Sequence, residues 1–312
     1  MRIMAGTIRK AHISGLGAIG SVFASILWEH DRESVKVIVD AERARRYQAQ
    51  GVTVNGRRYD FDYVISQPQA EPAELILIAV KGHQLGESIE AIRPFVGEDT
   101  IIISLLNGIS SEDILAAEFG DSHILHAFVV GTDATRDGLN TRYGNRGKIV
   151  FGHKSQPDSP DVKAVKDFFD RTGVPCSIPS DIRREQWWKF LMNVGVNQTS
   201  AVLRAPYSVF QNIKEARDLM MSAAMEVIPI AQKEGVNLKE EDIGNFMDIM
   251  YTMTPDGKTS MLQDVDAGRK TEVELFALTV MELGRKHGIP TPINEVLYRM
   301  IRVIEQSYPT RS

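Results

Sequence analysis

Two patterns in this 312-residue chain put residue types where they could do chemistry. The first is "ISGLGAIGSVFASILWE", where Gly15, Gly17 and Gly20 stand between a short apolar run and an apolar helical pattern. Glycines at G-x-G-x-x-G spacing permit a tight turn, close backbone approach to a pyrophosphate, and close packing of helix on strand. The start of the helix, with Leu16, Ala18 and Ile19 between the glycines, offers unpaired N–H groups and a positive dipole end to phosphates. The second is "EQWWKFLMNVGVNQTSAV", residues 185–202, whose apolar residues fall on nearly every side of a helical wheel, the mark of an interior helix. Yet Lys189, Asn193 and Asn197 recur at four-residue steps and so share one face. A buried cation costs free energy unless it is paired. The stripe therefore needs a solvent route for Lys189 and backbone partners for the amides, or it needs a ligand.

The elements that must carry these residues follow from periodicity. "AHIS" (11–14), "VKVIV" (35–39), "LILIAV" (75–80), "TIIISLL" (100–106) and "HILHAFVV" (123–130) read as strands, with amphipathic segments such as 83–93 and 110–118 between them. Alternating strand and helix signals predict a parallel sheet covered by helices. Asn55-Gly56 in "VTVNGRRYDF" predicts a hairpin, and the Gly- and Arg-rich region 133–152 reads as a second β excursion. The second strand ends in "VIVDAERARR". Asp40 stands where a carboxylate would accept hydrogen bonds from the adenosine ribose and favour NAD. Arg43, Arg45 and Arg46 follow closely enough to hold the 2′-phosphate of NADP instead, and Asp40 could equally cap the next helix. Lys81 after "LILIAV" and Asn107-Gly108 after "TIIISLL" lie at carboxyl ends of strands, where open α/β sheets bind ligands. A surface charge and a plain turn are the structural alternatives for these two.

Strand signals stop near residue 180. The composition shift divides the chain into an α/β dinucleotide-binding domain of the Rossmann type, 1–179, and an all-helical domain, 180–312. In the helical half Ser260 is expected in a loop and Glu272 in the first turn of a long helix. The net charge of −5 and the scattered Lys and Arg give nucleic acid nothing to bind. Cys176 is the only thiol, so no intrachain disulfide forms and a reducing, cytoplasmic setting fits. The start "MRIMAGTIRKAHISG" has no apolar run of signal-peptide length. No stretch has the composition of a membrane span, and no His spacing suggests a metal site or a triad.

With these residues in place the chain resembles the ketopantoate reductase (2-dehydropantoate 2-reductase) family. The matching blocks are "GLGAIG", "AVKGHQ", "LLNGI", "WWKFLMNVGVNQTSA", "SMLQDVDAGRKTEVE" and "HGIPTPINEVLY", in family order and spread over nearly the whole chain. The resemblance implies a Rossmann domain followed by a helical domain, with the active site in the cleft between them. It implies that Lys189 is the catalytic lysine and Glu272 the catalytic-site glutamate, with Asn193, Asn197 and Ser260 contacting substrate. Lys81 and Asn107 would face the cofactor and the reacting centre. The implied reaction is NADPH-dependent reduction of a small 2-keto acid, 2-dehydropantoate to pantoate on the route to coenzyme A, in a homodimer. Asp40 leaves NADH open as the cofactor. Where relatives commonly have Asn-Pro-Leu-Thr this chain has "NQTS", so Gln198 replaces a proline beside the polar stripe and leaves the exact keto acid open. Two other readings remain: a paralogue reducing a different 2-keto acid, and a regulatory protein that binds the cofactor without turnover.

Overall fold

A computed structural model describes residues 7–68 and 70–308. The first six residues of the basic start lie outside them. The chain divides into two compact units between Ile182 and Arg183.

The first unit is built on strands whose residues are apolar without alternation, because both faces of the sheet are covered. In chain order its elements are β1 (Ala11–Ser14), α1 (Ala18–His30), β2 (Val35–Val39), α2 (Ala41–Gln50), β3 (Val52–Val54), β4 (Arg57–Tyr59), β5 (Asp62–Ile65) and β6 (Leu75–Ile78). They continue with α3 (Leu85–Ile92), β7 (Ile101–Ser104), α4 (Ser111–Phe119), β8 (Ile124–Thr132), β9 (Thr135–Asp137), β10 (Asn140–Arg142), β11 (Arg146–Gly152), α5 (Pro160–Thr172) and β12 (Cys176–Ser177). The main sheet runs β12-β11-β8-β7-β6-β1-β2-β5. β5, β2, β1, β6, β7 and β8 are mutually parallel, while β11 is antiparallel to β8. One apolar layer packs Phe23, Leu27, Phe151, Phe168 and Phe169 against the sheet, and a separate one packs Ile76, Leu85, Ile89, Phe95 and Leu115. Each such side chain, fully buried, stabilises the fold by about 1.5–3 kcal/mol.

The two β excursions meet. Asn55 and Gly56 have φ of 49° and 81°, the left-handed pair that a two-residue hairpin turn requires. They join β3 to β4, β10 pairs parallel to β3, and a small sheet β4-β3-β10-β9 results. This sheet lies against α1, which explains why α1 is buried continuously from Gly20 to Trp28.

The second unit is helical: α6 (Ile182–Leu203), α7 (Tyr207–Asn212), α8 (Lys214–Met225), α9 (Val227–Lys233), α10 (Glu241–Thr252), α11 (Ser260–Asp266), α12 (Thr279–His287) and α13 (Pro292–Gln306). Its first helix α6 begins one residue before the division. Gly195 lets α6 approach its neighbours closely: a Cβ there would lie 3.0 Å from the Met220 carbonyl oxygen, 3.1 Å from Phe246 Cε1 and 3.2 Å from Ala224 Cβ. Phe246 and Met250 of α10 are core residues. The start of α13 is held by the Glu226 carboxylate, which accepts the N–H groups of Ile293 (2.8 Å) and Asn294 (3.0 Å), a negative charge placed at the positive end of a helix. No helix among the described residues is long and apolar enough to cross a membrane.

Candidate active site

In the first unit the predicted cofactor residues gather along one edge of the sheet. β7, β6, β1 and β2 are consecutive and parallel, so Asn107, Lys81, the glycine turn and Asp40 all follow carboxyl ends on the same edge. The chain runs from β1 to β2 on one side and returns to β6 on the other, which makes the β1/β6 boundary the switch point where such sheets bind ligands. Gly15 sits there with φ +100°, and a Cβ on it would meet Val80 Cγ1 at 2.7 Å and the Ala79 carbonyl oxygen at 2.8 Å. At Gly20 a Cβ would overlap the Gly15 carbonyl oxygen, so glycine lets α1 seat against the turn. Gly17 is the N-cap of α1, with no side-chain cap and no acidic residue in the first turn. A cradle closed by glycines, before a helix start uncapped by any side chain, fits the pyrophosphate of a dinucleotide.

Asp40 does cap the next helix. Its Oδ1 accepts the Arg43 N–H at 2.7 Å, and its Oδ2 lies 3.4 Å from Arg43 Nε. Capping uses one carboxylate oxygen, so the structural and cofactor roles of Asp40 are compatible. Lys81 precedes a short turn in which its N–H donates to Gln84 Oε1 at 3.3 Å, and Asn107 lies in the bend before α4, next to Gly108 with φ +91°. Sequence reasoning missed Arg136, which reaches from β9 to donate to Ser21 Oγ at 2.6 Å in the first turns of α1. Burial lowers its pKa below the ordinary guanidinium value. No spacing rule could have found it, because β9 joins α1 only through the small sheet.

In the second unit α6 runs unbroken through the stripe, so Lys189, Asn193 and Asn197 do share a face. Lys189 and Asn193 are half-buried and Asn197 is buried. The helix runs on through Gln198. Its side-chain Nε2 donates to the Val194 carbonyl (2.8 Å) and to Asn294 Oδ1 (3.0 Å) in the interior. The end of the stripe is tied to α11: Ser200 Oγ donates to the Asn197 carbonyl at 3.0 Å and bonds Thr259 Oγ1 at 2.5 Å. Thr259 is the N-cap of α11, accepting from Leu262 N, so Ser260 is an exposed first helical residue rather than a loop residue. Glu272 also differs from expectation. It lies in a bend ahead of a π-helical turn, Glu274–Leu278, that runs on into α12. Phe276 of that turn packs on Phe190, with ring centroids 6.4 Å apart, bringing the Glu272 segment to the part of α6 that carries Lys189. Such π turns are frequent at functional sites. Glu272 is 7% exposed, and the Thr271 before it is fixed by Glu305, whose Oε1 accepts both its N–H and its Oγ–H at 2.7 Å.

A glycine cradle at the switch point of a parallel sheet, in a chain that continues as a helical unit bearing a lysine, a buried glutamate and two amides, defines an NAD(P)-dependent oxidoreductase. Comparison with known families narrows this. The family model described as ketopantoate reductase PanE/ApbA matches residues 11–156, and that of its C-terminal part matches residues 181–305. The chain belongs to the ketopantoate reductase family. It is similar to the 2-dehydropantoate 2-reductase of Aquifex aeolicus, 24% identical over 309 residues that cover 96% of this chain and 97% of that one. Among solved structures it is similar to D-mandelate dehydrogenase with NADH and anilino(oxo)acetate, with a TM-score of 0.86 at 21% identity, covering 96% of this chain and 99% of that one. It is also similar to a dimeric ketopantoate reductase from Staphylococcus aureus, with a TM-score of 0.76 at 22% identity, covering 95% and 99%.

Proposed function

We propose that the protein reduces 2-dehydropantoate to pantoate with a reduced nicotinamide cofactor, in the cytoplasm and as a homodimer. The observation that carries this reading is the polar face of α6, Lys189 with Asn193 and Asn197, with Thr259, the residue before Ser260, bonded to Ser200 at its end and Glu272 buried on the segment that packs against it. A reduced nicotinamide held by the glycine turn would supply the hydride that the carbonyl carbon of the keto acid accepts. Negative charge then builds on the carbonyl oxygen, and the Lys189 ammonium stabilises that oxygen and donates a proton to it. Glu272, itself buried, orients the half-buried ammonium and balances its charge. Asn193, Asn197 and Ser260 bind the substrate's hydroxyl and carboxylate groups without adding charge. The glycine turn, Lys81 and Asn107 hold the cofactor from the first unit.

A second reading is reduction of another 2-keto acid. The structural similarity to D-mandelate dehydrogenase favours it, and Gln198, at the place where the family resemblance leads one to expect proline, is in keeping with it. Initial rates of NADPH and NADH oxidation, with 2-dehydropantoate and a panel of bulkier 2-keto acids, separate the readings. Fast turnover of 2-dehydropantoate is expected. Turnover confined to another keto acid overturns the substrate, and cofactor binding with no turnover of any overturns the catalytic reading in favour of a cofactor-sensing protein.

A further inference from the structure

We propose that Glu87 makes this site select NADH over NADPH by holding the Arg43 guanidinium between two carboxylates. The inference rests on the dinucleotide reading of the first unit. Arg43 lies in the first turn of α2, one turn beyond Asp40, where a basic side chain would meet the 2′-phosphate of NADP. It is already engaged from both sides: Asp40 Oδ2 lies 3.4 Å from its Nε, and Glu87 Oε1, from the first turn of α3, lies 3.3 Å from its Nη1. The two neighbouring arginines are engaged elsewhere. Arg45 Nε donates to the Ala41 carbonyl of its own helix at 3.2 Å, and the Arg46 guanidinium stacks 5.3 Å from the Tyr47 ring centroid.

A phosphate arriving here brings close to two negative charges. It must take Arg43 from Glu87 and then sit beside two carboxylates, whereas the plain ribose hydroxyls of NADH can donate to Asp40. The two carboxylates differ in what else they do. Asp40 caps α2 through its Oδ1, so its removal disturbs the helix as well as the charge. The Glu87 side chain is 61% exposed, and Arg43 is its only charged partner among the described residues. Exposed ion pairs are individually weak, so a preference of several-fold is expected rather than exclusion.

The test is calorimetric titration of the full-length protein with NADPH and with NADH. The wild type is expected to bind NADH more tightly. Glu87→Gln should tighten NADPH binding by about three- to tenfold and move NADH by less than about twofold, with the gain shrinking at high salt. Adding Arg43→Ala to Glu87→Gln should remove most of the gain, because the freed guanidinium is its main source and relief of direct carboxylate–phosphate repulsion at an exposed site is the smaller part. An unchanged ratio of the two affinities, or a gain that survives loss of Arg43 in full, overturns the role of Glu87. Wild-type preference for NADPH overturns the NADH selection. These failures are distinct from failure of the functional reading: absence of keto-acid turnover leaves the affinity ratio measurable, whereas failure to bind either cofactor removes the dinucleotide site and this proposal with it.

Discussion

The two units make their sites from different materials. In the first, the cofactor cradle is mostly backbone: a positive φ at Gly15, a helix seated on a carbonyl at Gly20, and a helix start left uncapped by any side chain at Gly17. In the second, the polar face is made of side chains on α6, a helix held by residues far away in sequence: Thr259, bonded to Ser200, and Phe276, packed on Phe190. A backbone site fails when one atom is added to it, whereas a side-chain site fails when one functional group is removed. Substitutions of the two kinds should therefore separate binding of cofactor from chemistry on substrate.

The largest separation is expected from Lys189→Ala. Turnover should fall by about 10²–10⁴-fold, the usual contribution of a positioned acid, while the dissociation constant of the cofactor, set in the first unit, moves little. Rapid-mixing kinetics together with calorimetric cofactor titration check both halves. Near-normal turnover would remove Lys189 from the mechanism, and a parallel loss of cofactor affinity would dissolve the division between the two sites.

This division also explains what was legible in the sequence. The glycine turn could be read directly, because only glycine tolerates those backbone angles and approaches and the spacing is local. The main strands could be read because both faces of the sheet are buried, leaving unbroken apolar runs such as "LILI". The stripe on α6 could be seen as an anomaly, but its purpose comes only through resemblance, since nothing local links residue 200 to 259 or residue 190 to 276. A loop is the sequence's expectation for Ser260 because one cap residue, Thr259, carries little signal beside Pro255-Asp256-Gly257. The first turn of a long helix is the sequence's expectation for Glu272 because a π turn has no sequence periodicity of its own over five residues. The union of the two β excursions is invisible in the sequence for the same reason as the contact of Arg136: β3 and β10 are about ninety residues apart in the chain, and pairing over such a distance leaves no short-range pattern.

His12 offers a pH test confined to the first unit. It lies in β1, 7% exposed, against the Phe95 ring and opposite Lys36 on β2, with Lys10 and Glu74 also acting on it. Burial first, then the charges of Lys36 and Lys10, push its pKa down to about 4. The unfolded chain binds this proton at about pH 6.5, so between pH 6.5 and 4 the unfolded state holds more protons. Stability is complete above pH 6.5 and is lost as pH falls toward 4, by about 3 kcal/mol in all. Urea midpoints measured across this range should fall in the wild type and stay flatter in His12→Leu. Equal slopes in the two proteins would remove His12 as the source.

A smaller effect is expected from Gly15→Ala. The left-handed backbone at φ +100° and the contacts with Val80 and Ala79 make the added methyl cost about 1–3 kcal/mol. Cofactor affinity should fall by about tenfold, because the turn must shift from the phosphates. Calorimetric titration and urea midpoints on the same variant measure both. Lys189 chemistry should survive at saturating cofactor, so kcat returns toward the wild-type value when cofactor is raised. A kcat that stays low under those conditions would mean that the glycine turn also shapes the reacting centre.

The mildest substitution tests how the second site is held. The Glu305 side chain is 8% exposed. Its Oε1 accepts two hydrogen bonds from Thr271, and its Oε2 lies 2.8 Å from Arg302 Nη1, which also lies 3.5 Å from Glu274 Oε1. One carboxylate on α13 thus fixes the backbone immediately before Glu272 and, through Arg302, the π turn after it. Glu305→Ala leaves the Thr271 N–H without that acceptor and should cost about 1–2 kcal/mol. Glu305→Gln keeps an acceptor for Thr271 and should recover about half of that. Urea midpoints report the stability, and kcat reports whether the loss reaches Glu272. A drop in kcat rescued by glutamine, with cofactor affinity unmoved, would show that the side-chain site is tuned by an anchor more than thirty residues away in sequence. If cofactor affinity falls in step with kcat, the disturbance has spread to the backbone site, and the two regions act as one.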